Sequence, residues 1–174
     1  MPLTFRPAEP CDIPLLRDLA SRIWRASYAD LLAPAQIEYM LAWMYAAPKI
    51  AGELAGGVLW QVALLDAVPA GYLSLGTQPG GIAELHKLYL LPEHHGIGHG
   101  QTMLAHACDL ATARGASELH LRVNKRNTRA LRAYERAGFR IIDSILADIG
   151  GGFAMDDYIL ARPLTPAPPG PHPP

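Results

Sequence analysis

The 174-residue chain is poor in cysteine: Cys11 and Cys108 are its only two, far apart and without metal-ligand spacing. A disulfide framework is therefore not expected, and the usage fits a reducing compartment. No apolar run reaches the roughly eighteen residues that a membrane-spanning helix needs. The opening MPLTFRPAEPCD has no apolar stretch of the signal-peptide kind. A cytoplasmic location with no membrane partner is the expectation. Neither sign of charge dominates, with 15 basic residues against 16 acidic ones, so bulk-charge binding of nucleic acid is not expected either. Internal repeats are also missing. What remains is a chain that is half hydrophobic, enough for the core of one domain over residues 1–164. From Thr165 the sequence runs TPAPPGPHPP, with no large apolar side chain to anchor it, and reads as a flexible polyproline-like tail over 165–174.

Periodicity supplies the elements. A short strand at 3–7 precedes a helix with Asp12 as N-cap, in which Leu15, Leu16, Leu19, Ile23 and Trp24 recur at helical spacing. A second helix, 34–46, starts at Pro34, stops before Pro48 and is apolar nearly all round, so it must bury more than one face, against the core and against a ligand or partner. The runs 58–66, 70–77 and 82–91 read as three strands of an antiparallel meander, with turns at Asp66–Pro69 and Pro79–Gly81. A helix at 101–114 ends at Gly115, a strand at 118–123 follows, and Asn127 and Gly138 bracket a helix at 128–137. Strands 140–149 and 154–162 close the chain around Gly150–Gly152. The class is mixed α/β (α+β), with a mostly antiparallel sheet of about seven strands flanked by helices.

The chemistry concentrates in LYLLPEHHGIGHGQTML, residues 88–104. Gly96, Gly98 and Gly100 alternate between a strand and a helix, so successive N–H groups can turn toward one point, backed by the positive end of the helix dipole. That is a cradle for phosphate or pyrophosphate, unless the glycines only make the connecting turn. A triphosphate-binding loop would need Gly-Lys-Ser/Thr, whereas Gly100 is followed by Gln101 and Thr102. A dinucleotide loop would need G-x-G-x-x-G and an acid ending the next strand, whereas the spacing is G-x-G-x-G and that strand ends Val123-Asn124.

Over about residues 3–164 the chain resembles the GNAT superfamily of N-acetyltransferases. The superfamily's R/Q-x-x-G-x-G/A motif appears as His95-Gly96-Ile97-Gly98-His99-Gly100 after Leu88-Tyr89-Leu90-Leu91-Pro92-Glu93, with His95 departing from Arg or Gln. A second block, VNKRNTRALRAYERAGF, brings Asn127, Ala130, Tyr134, Gly138 and Phe139 into the register N-x-x-A-x-x-x-Y-x-x-x-G-F. The closing 148–164 is similar to the superfamily's last hairpin. The resemblance implies the acyl-CoA acyltransferase fold and acetyl-CoA as co-substrate. It places the coenzyme on Leu88, Tyr89 and Leu90, on His95 through Gln101, and on Asn127, with a backbone N–H near Leu88–Leu90 for the acetyl oxygen. It also implies acetyl transfer to a primary amine in a ternary complex, without a covalent intermediate. The alternative is a non-catalytic acetyl-CoA sensor or partner-binding module on the same fold.

Attack on a thioester needs a neutral amine and a protonated leaving thiol, so a base and an acid are both useful. Strict strand alternation would put Glu84, His86, Leu88 and Leu90 on one face. Glu84 is then a base acting through water or an exposed carboxylate near a strand start, and His86 is a second candidate or a structural histidine. Tyr134, in register with the superfamily's acid, can protonate the thiolate, or else it is a core tyrosine at helical spacing. Asn127 serves as N-cap and as a neighbour of the pantetheine arm. His94, His95 and His99 lack partners at metal spacing, so no metal is expected. Among Arg126, Arg129, Arg132 and Arg136, one or two suit the 3′-phosphate, and the others make a solvated face. Trp24, Tyr28, Asp30, Tyr39, Trp43, Asp156 and Asp157 suit a cationic acceptor (a polyamine, an aminoglycoside or a peptide amino group), although the aromatics also read as core. A homodimer is left open.

Overall fold

The computed structural model describes residues 2–165, so the Pro-rich tail lies outside the described residues apart from Thr165. Seven strands form one sheet: β1 (Leu3–Pro7), β2 (Leu59–Leu65), β3 (Val68–Gln78), β4 (Ile82–Leu90), β5 (Glu118–Asn124), β6 (Arg140–Gly150) and β7 (Phe153–Pro163). Their order across the sheet is β1-β2-β3-β4-β5-β7-β6, and every neighbouring pair is antiparallel except β4–β5. Five helices accompany them: α1 (Ile13–Ser27), α2 (Pro34–Met44), α3 (Ala47–Ala55), α4 (His99–Ala113) and α5 (Thr128–Arg136). None is long and apolar enough to cross a membrane, among the described residues.

Strand alternation splits the apolar side chains between two cores. Leu73, Leu75, Leu85, Leu121 and Leu160 meet Met103, Leu104 and Ala107 of α4 on one face. Trp60, Val62 and Tyr72 meet Leu16, Ile23 and Trp24 of α1, Met40 of α2 and Ile50 of α3 on the other. A sheet buried on both faces holds its central strands rigidly, which is what a site built on strand backbone needs.

Three local readings change. The helix α3 was not expected: Pro48 ends α2's neighbourhood but also sits in the first turn of a new helix, where its missing N–H costs nothing. Asp12 does stand at the N-cap of α1 but makes no side-chain cap. Its carboxylate instead takes both guanidinium nitrogens of Arg6 at 2.7 Å and the Glu9 N–H at 2.9 Å, which holds it below the usual carboxylate range. The β2–β3 turn shrinks to Asp66 and Ala67, both left-handed, with Leu65 paired to Val68. By contrast Asn127 caps α5 as expected, its side chain accepting the Ala130 N–H at 3.2 Å.

The correction that matters most for the site is in β4. Ser74 pairs with Lys87 and Leu75 with Leu85, so His86 is an extra residue, a β-bulge. The bulge resets the alternation. Leu85, Leu88 and Leu90 belong to the α4 side, while Lys87 stacks over Trp60 and Tyr89 packs among the aromatics of the α1 side. Glu84 and His86 therefore do not share a face with Leu88 and Leu90. Glu84 shares the α1-side face with Lys87 and Tyr89 instead.

Candidate active site

The strands β4 and β5 pair over only four positions, from Ile82–Glu118 to Leu85–Leu121. Beyond the bulge β4 stays with β3 as far as Gly71–Leu90, whereas β5 stays with β7 as far as Asn124–Asp157. The two strands part, and a cleft of about 1300 Å³ opens between them. The side of β4 that faces β5 is left without a strand partner from His86 to Leu90, so backbone amides and carbonyls line one wall.

The glycine loop closes the mouth of this wedge. Gly96 and Gly98 have φ of 83° and 95°, values that side chains resist. Among the described residues the N–H groups of Gly96, Ile97, Gly98, His99 and Gly100 have no acceptor. A methyl group placed on Gly96, Gly98 or Gly100 would meet nothing within 4 Å, so the space beside this backbone is open. Gly98 is the N-cap of α4 and provides no side-chain cap. Unpaired donors at the positive end of a fifteen-residue helix have the chemistry to accept an anion.

His95 is the staple of the loop. Its Nε2 lies 2.8 Å from the Leu90 carbonyl and its Nδ1 bonds Arg129 of α5. Burial lowers its pKa, the Leu90 carbonyl opposes that, and Arg129 adds to it. A neutral ring that donates from Nε2 and accepts at Nδ1 satisfies both contacts. Gln101 ties α4 to α5 by donating to the Ala133 carbonyl at 3.0 Å. Of the expected coenzyme residues, Leu88, Tyr89, Leu90, His95, Gly96, Gly98, Gly100, Gln101 and Asn127 line the cleft. The side chains of Ile97, which is solvent-exposed, and His99 lie off it. Arg126, Arg129 and Arg136 border the cleft and Arg132 does not.

Tyr134 enters from α5, its ring edge-on to Phe139 at 5.8 Å. Its hydroxyl has no hydrogen-bond partner among the described residues, and burial, with a smaller effect of the Tyr28 hydroxyl, pushes its pKa well above the ordinary phenol value. It keeps its proton at neutral pH. Glu84 is not an exposed carboxylate, since its side chain is 16% accessible. Gln78 donates to it, Arg122 Nε stands 3.7 Å away and His86 Nδ1 3.9 Å.

Three contributions escaped the sequence reading. Arg122 on β5 sits between Glu84 and Asp157, and only the strand register reveals it. Lys87 is 4% accessible, with Nζ 4.8 Å from the Trp60 ring centroid and 3.8 Å from Glu53. Tyr28 was named as an acceptor-side aromatic, but its hydroxyl contact to Tyr89 at 3.3 Å was not. Neither cysteine lines the cleft, and burial pushes the Cys108 thiol up, away from a reactive thiolate.

Comparison with known proteins agrees with this geometry. The model of the acetyltransferase (GNAT) family matches residues 13–139, and the chain belongs to that family. It is 35% identical over 100 residues to an uncharacterized N-acetyltransferase of Mycobacterium bovis, covering 58% of this chain and 64% of that protein. The chain thus spans somewhat less than two thirds of that relative's length. Over 138 residues it is 27% identical to the spermidine N(1)-acetyltransferase of Thermoplasma acidophilum, covering 76% of this chain and 85% of the relative. A crystal structure of a PaiA N-acetyltransferase from Thermoplasma acidophilum, in complex with coenzyme A, superposes with a TM-score of 0.80 at 25% identity, over 94% of this chain and 99% of that one.

Proposed function

We propose that the protein transfers an acetyl group from acetyl-CoA to a primary amine by direct attack in a ternary complex. The observation that carries this reading is the parted β4–β5 edge, which opens unpaired backbone onto a cleft with free amides at one end and the unbonded Tyr134 hydroxyl inside. A pantetheine arm has two amides and can take the place of the missing strand pairing along Leu88–Leu90. The pyrophosphate meets the amides of Gly96–Gly100, and Arg126, Arg129 or Arg136 meets the 3′-phosphate. Asn127 stands at the inner end of the arm.

In the transfer, the amine nitrogen forms the C–N bond, the C–S pair leaves on sulfur, and Tyr134 gives its proton to that sulfur. Glu84 receives, through water, a proton that the nitrogen sheds. The acceptor sits on the α1-side face among Trp24, Tyr28, Trp43 and Asp157. A polyamine, an aminoglycoside or a peptide amino group fits that mixture of rings and acids, and a polyamine is what the Thermoplasma relative is named for.

The same cleft would serve a non-catalytic acetyl-CoA sensor, a reading favoured by the engagement of Glu84 with Gln78 and Arg122. Free-thiol release from acetyl-CoA separates the two. With a panel of spermidine, an aminoglycoside and an alanine-ended peptide, the enzyme reading expects release that depends on the amine. Coenzyme binding without release for every amine would leave the sensor.

A further inference from the structure

We propose that Asp157 is the group that receives the acceptor's ammonium and takes its first proton, an assignment that rests on the acetyl-transfer reading and specifies its acceptor as a cationic primary amine.

The strand β7 alternates across the sheet: Tyr158 and Leu160 pack on the α4 side, and Met155 packs on the α1 side. Asp157 follows Met155 onto the α1 side and lines the cleft. It is 3% exposed, and its Oδ1 is buried with no hydrogen-bond partner among the described residues. A buried carboxylate oxygen without a donor is costly to keep, and a fold that keeps one at the wall of a cleft has prepared a place for a cation.

Neither neighbouring cation of the protein fills that place. Arg122 on β5, diagonal to Asp157 and opposite Ile159, is the ion-pair partner of Glu84 at 3.7 Å. Lys125, in the connection after β5, is bonded to Asp156 at 2.5 Å and lies 5.3 Å from the Tyr158 ring centroid. Of the two strand carboxylates beside Arg122, Glu84 is therefore already engaged and Asp157 keeps an oxygen without a partner. Burial raises the Asp157 pKa, with Asp156 adding to the rise and Arg122 and Lys125 opposing it. A carboxyl raised in this way is a better proton acceptor than an exposed one.

Position also favours it. Tyr28, the C-cap of α1, is raised by burial, lowered by its bond to Tyr89 and raised by the Asp157 charge, and Tyr28 in turn acts on Tyr134. Asp157, Tyr28 and Tyr134 line the same cleft. The half-buried Tyr28 ring, stacked on the core residue Trp24 at 4.6 Å, lines the same cleft as the acid and is an aromatic partner for an organic ammonium. The proton count closes. The ammonium gives one proton to Asp157, and the freed lone pair forms the C–N bond as the C–S pair moves to sulfur. Tyr134 protonates the sulfur, and the second proton shed from nitrogen goes through water to Glu84 and from there, through solvent, replaces the one Tyr134 gave. One proton then passes from Asp157 to solvent for each acetyl moved.

The test is Asp157→Asn, assayed by thiol release with the fastest amine of the panel at pH 7 and pH 9.5. We expect kcat/KM to fall about 100-fold or more at pH 7, and the deficit to narrow about tenfold at pH 9.5, where more of the amine is already neutral. Coenzyme A should still raise Tm in the variant, and its own Tm should equal or exceed the parent's, because an unpartnered buried charge has been removed. A kcat/KM within twofold of the parent at pH 7 would overturn the assignment. A loss that is constant with pH and accompanied by a lower Tm would overturn it too, by showing a structural role. If the parent itself releases no thiol with any amine, the acetyl-transfer reading fails first and Asp157 falls with it.

Discussion

On the β4–α4 side, the cleft presents backbone: the free edge of Leu88–Leu90 and the unpaired amides of Gly96–Gly100. Across it, at the end of α1 and on β5 and β7, it presents side chains: Tyr28, Arg122 and Asp157, held by packing and by one another's charges. The first wall can bind any ligand with the same amide and phosphate pattern, and its demands fall on φ angles and empty space. In the proposed reaction the second wall has to match one particular acceptor, and its demands fall on which side chains a register brings together. Tyr134, from α5, lines the same cleft.

The largest effect that would sharpen this division belongs to Tyr134. Tyr134→Phe keeps the ring against Phe139 and deletes a hydroxyl that has no partner among the described residues, so folding stability should hold within about 0.5 kcal/mol. If the phenol is the proton donor, kcat should fall by about 10² to 10⁴ while coenzyme A binding survives. Measured by thiol release and by thermal shift, parent-like turnover would return Tyr134 to the core.

A smaller effect is expected on the backbone wall. Gly98→Val forces a β-branched residue to φ 95° and puts its branches into the open space beside the loop. The variant should lose about 1–2 kcal/mol of stability to backbone strain. Coenzyme A affinity should fall about 10- to 100-fold, read by calorimetry. An unchanged affinity would mean the coenzyme does not approach that backbone.

The same contrast explains what could be read from the sequence. The backbone wall was legible, because φ values near 90° need glycine, and Gly96 and Gly98 announce themselves at fixed spacing after a strand. The places of Asn127 and Tyr134 were legible for a related reason, since Asn127 caps the short helix that carries Tyr134 and so fixes its register. The strand order also followed the expected meander and closing hairpin. What could not be read depends on shifts of one residue. The bulge at His86 turns Glu84 toward Tyr89's face and away from Leu88's, and no residue type marks it. Arg122 meets Glu84 only because β4 and β5 pair in parallel with Glu84 opposite His120. Asp157 was one acid among several until its burial and its empty oxygen set it apart from Asp156. The helix α3 was hidden by reading Pro48 as a stop when it is also a permitted start.

The smallest effect concerns His95, where the backbone wall borrows a side chain. Its ring links the Leu90 carbonyl to Arg129 and so fixes the loop to both β4 and α5. A second proton on the ring would remove the acceptor for Arg129 and set two cations side by side. The folded pKa accordingly lies below the ordinary histidine value, because burial disfavours the charged form and Arg129 repels it. With the folded pKa depressed, the unfolded chain binds more protons, so stability rises with pH through this range and is lost as pH falls below about 6.5. His86 and His106 are also lowered, mainly by burial, and contribute in the same direction. His95→Gln keeps a donor and an acceptor but cannot titrate. Denaturant midpoints measured from pH 7 to pH 5 should therefore fall less steeply than the parent's, by less than one proton's worth of slope, because the other two histidines remain. At pH 7 the same variant should bind coenzyme A within about threefold of the parent, a difference of roughly 0.6 kcal/mol. An identical pH slope in parent and variant would show that His95 does not couple to folding, and the loop would then owe its position to the glycines and α4 alone.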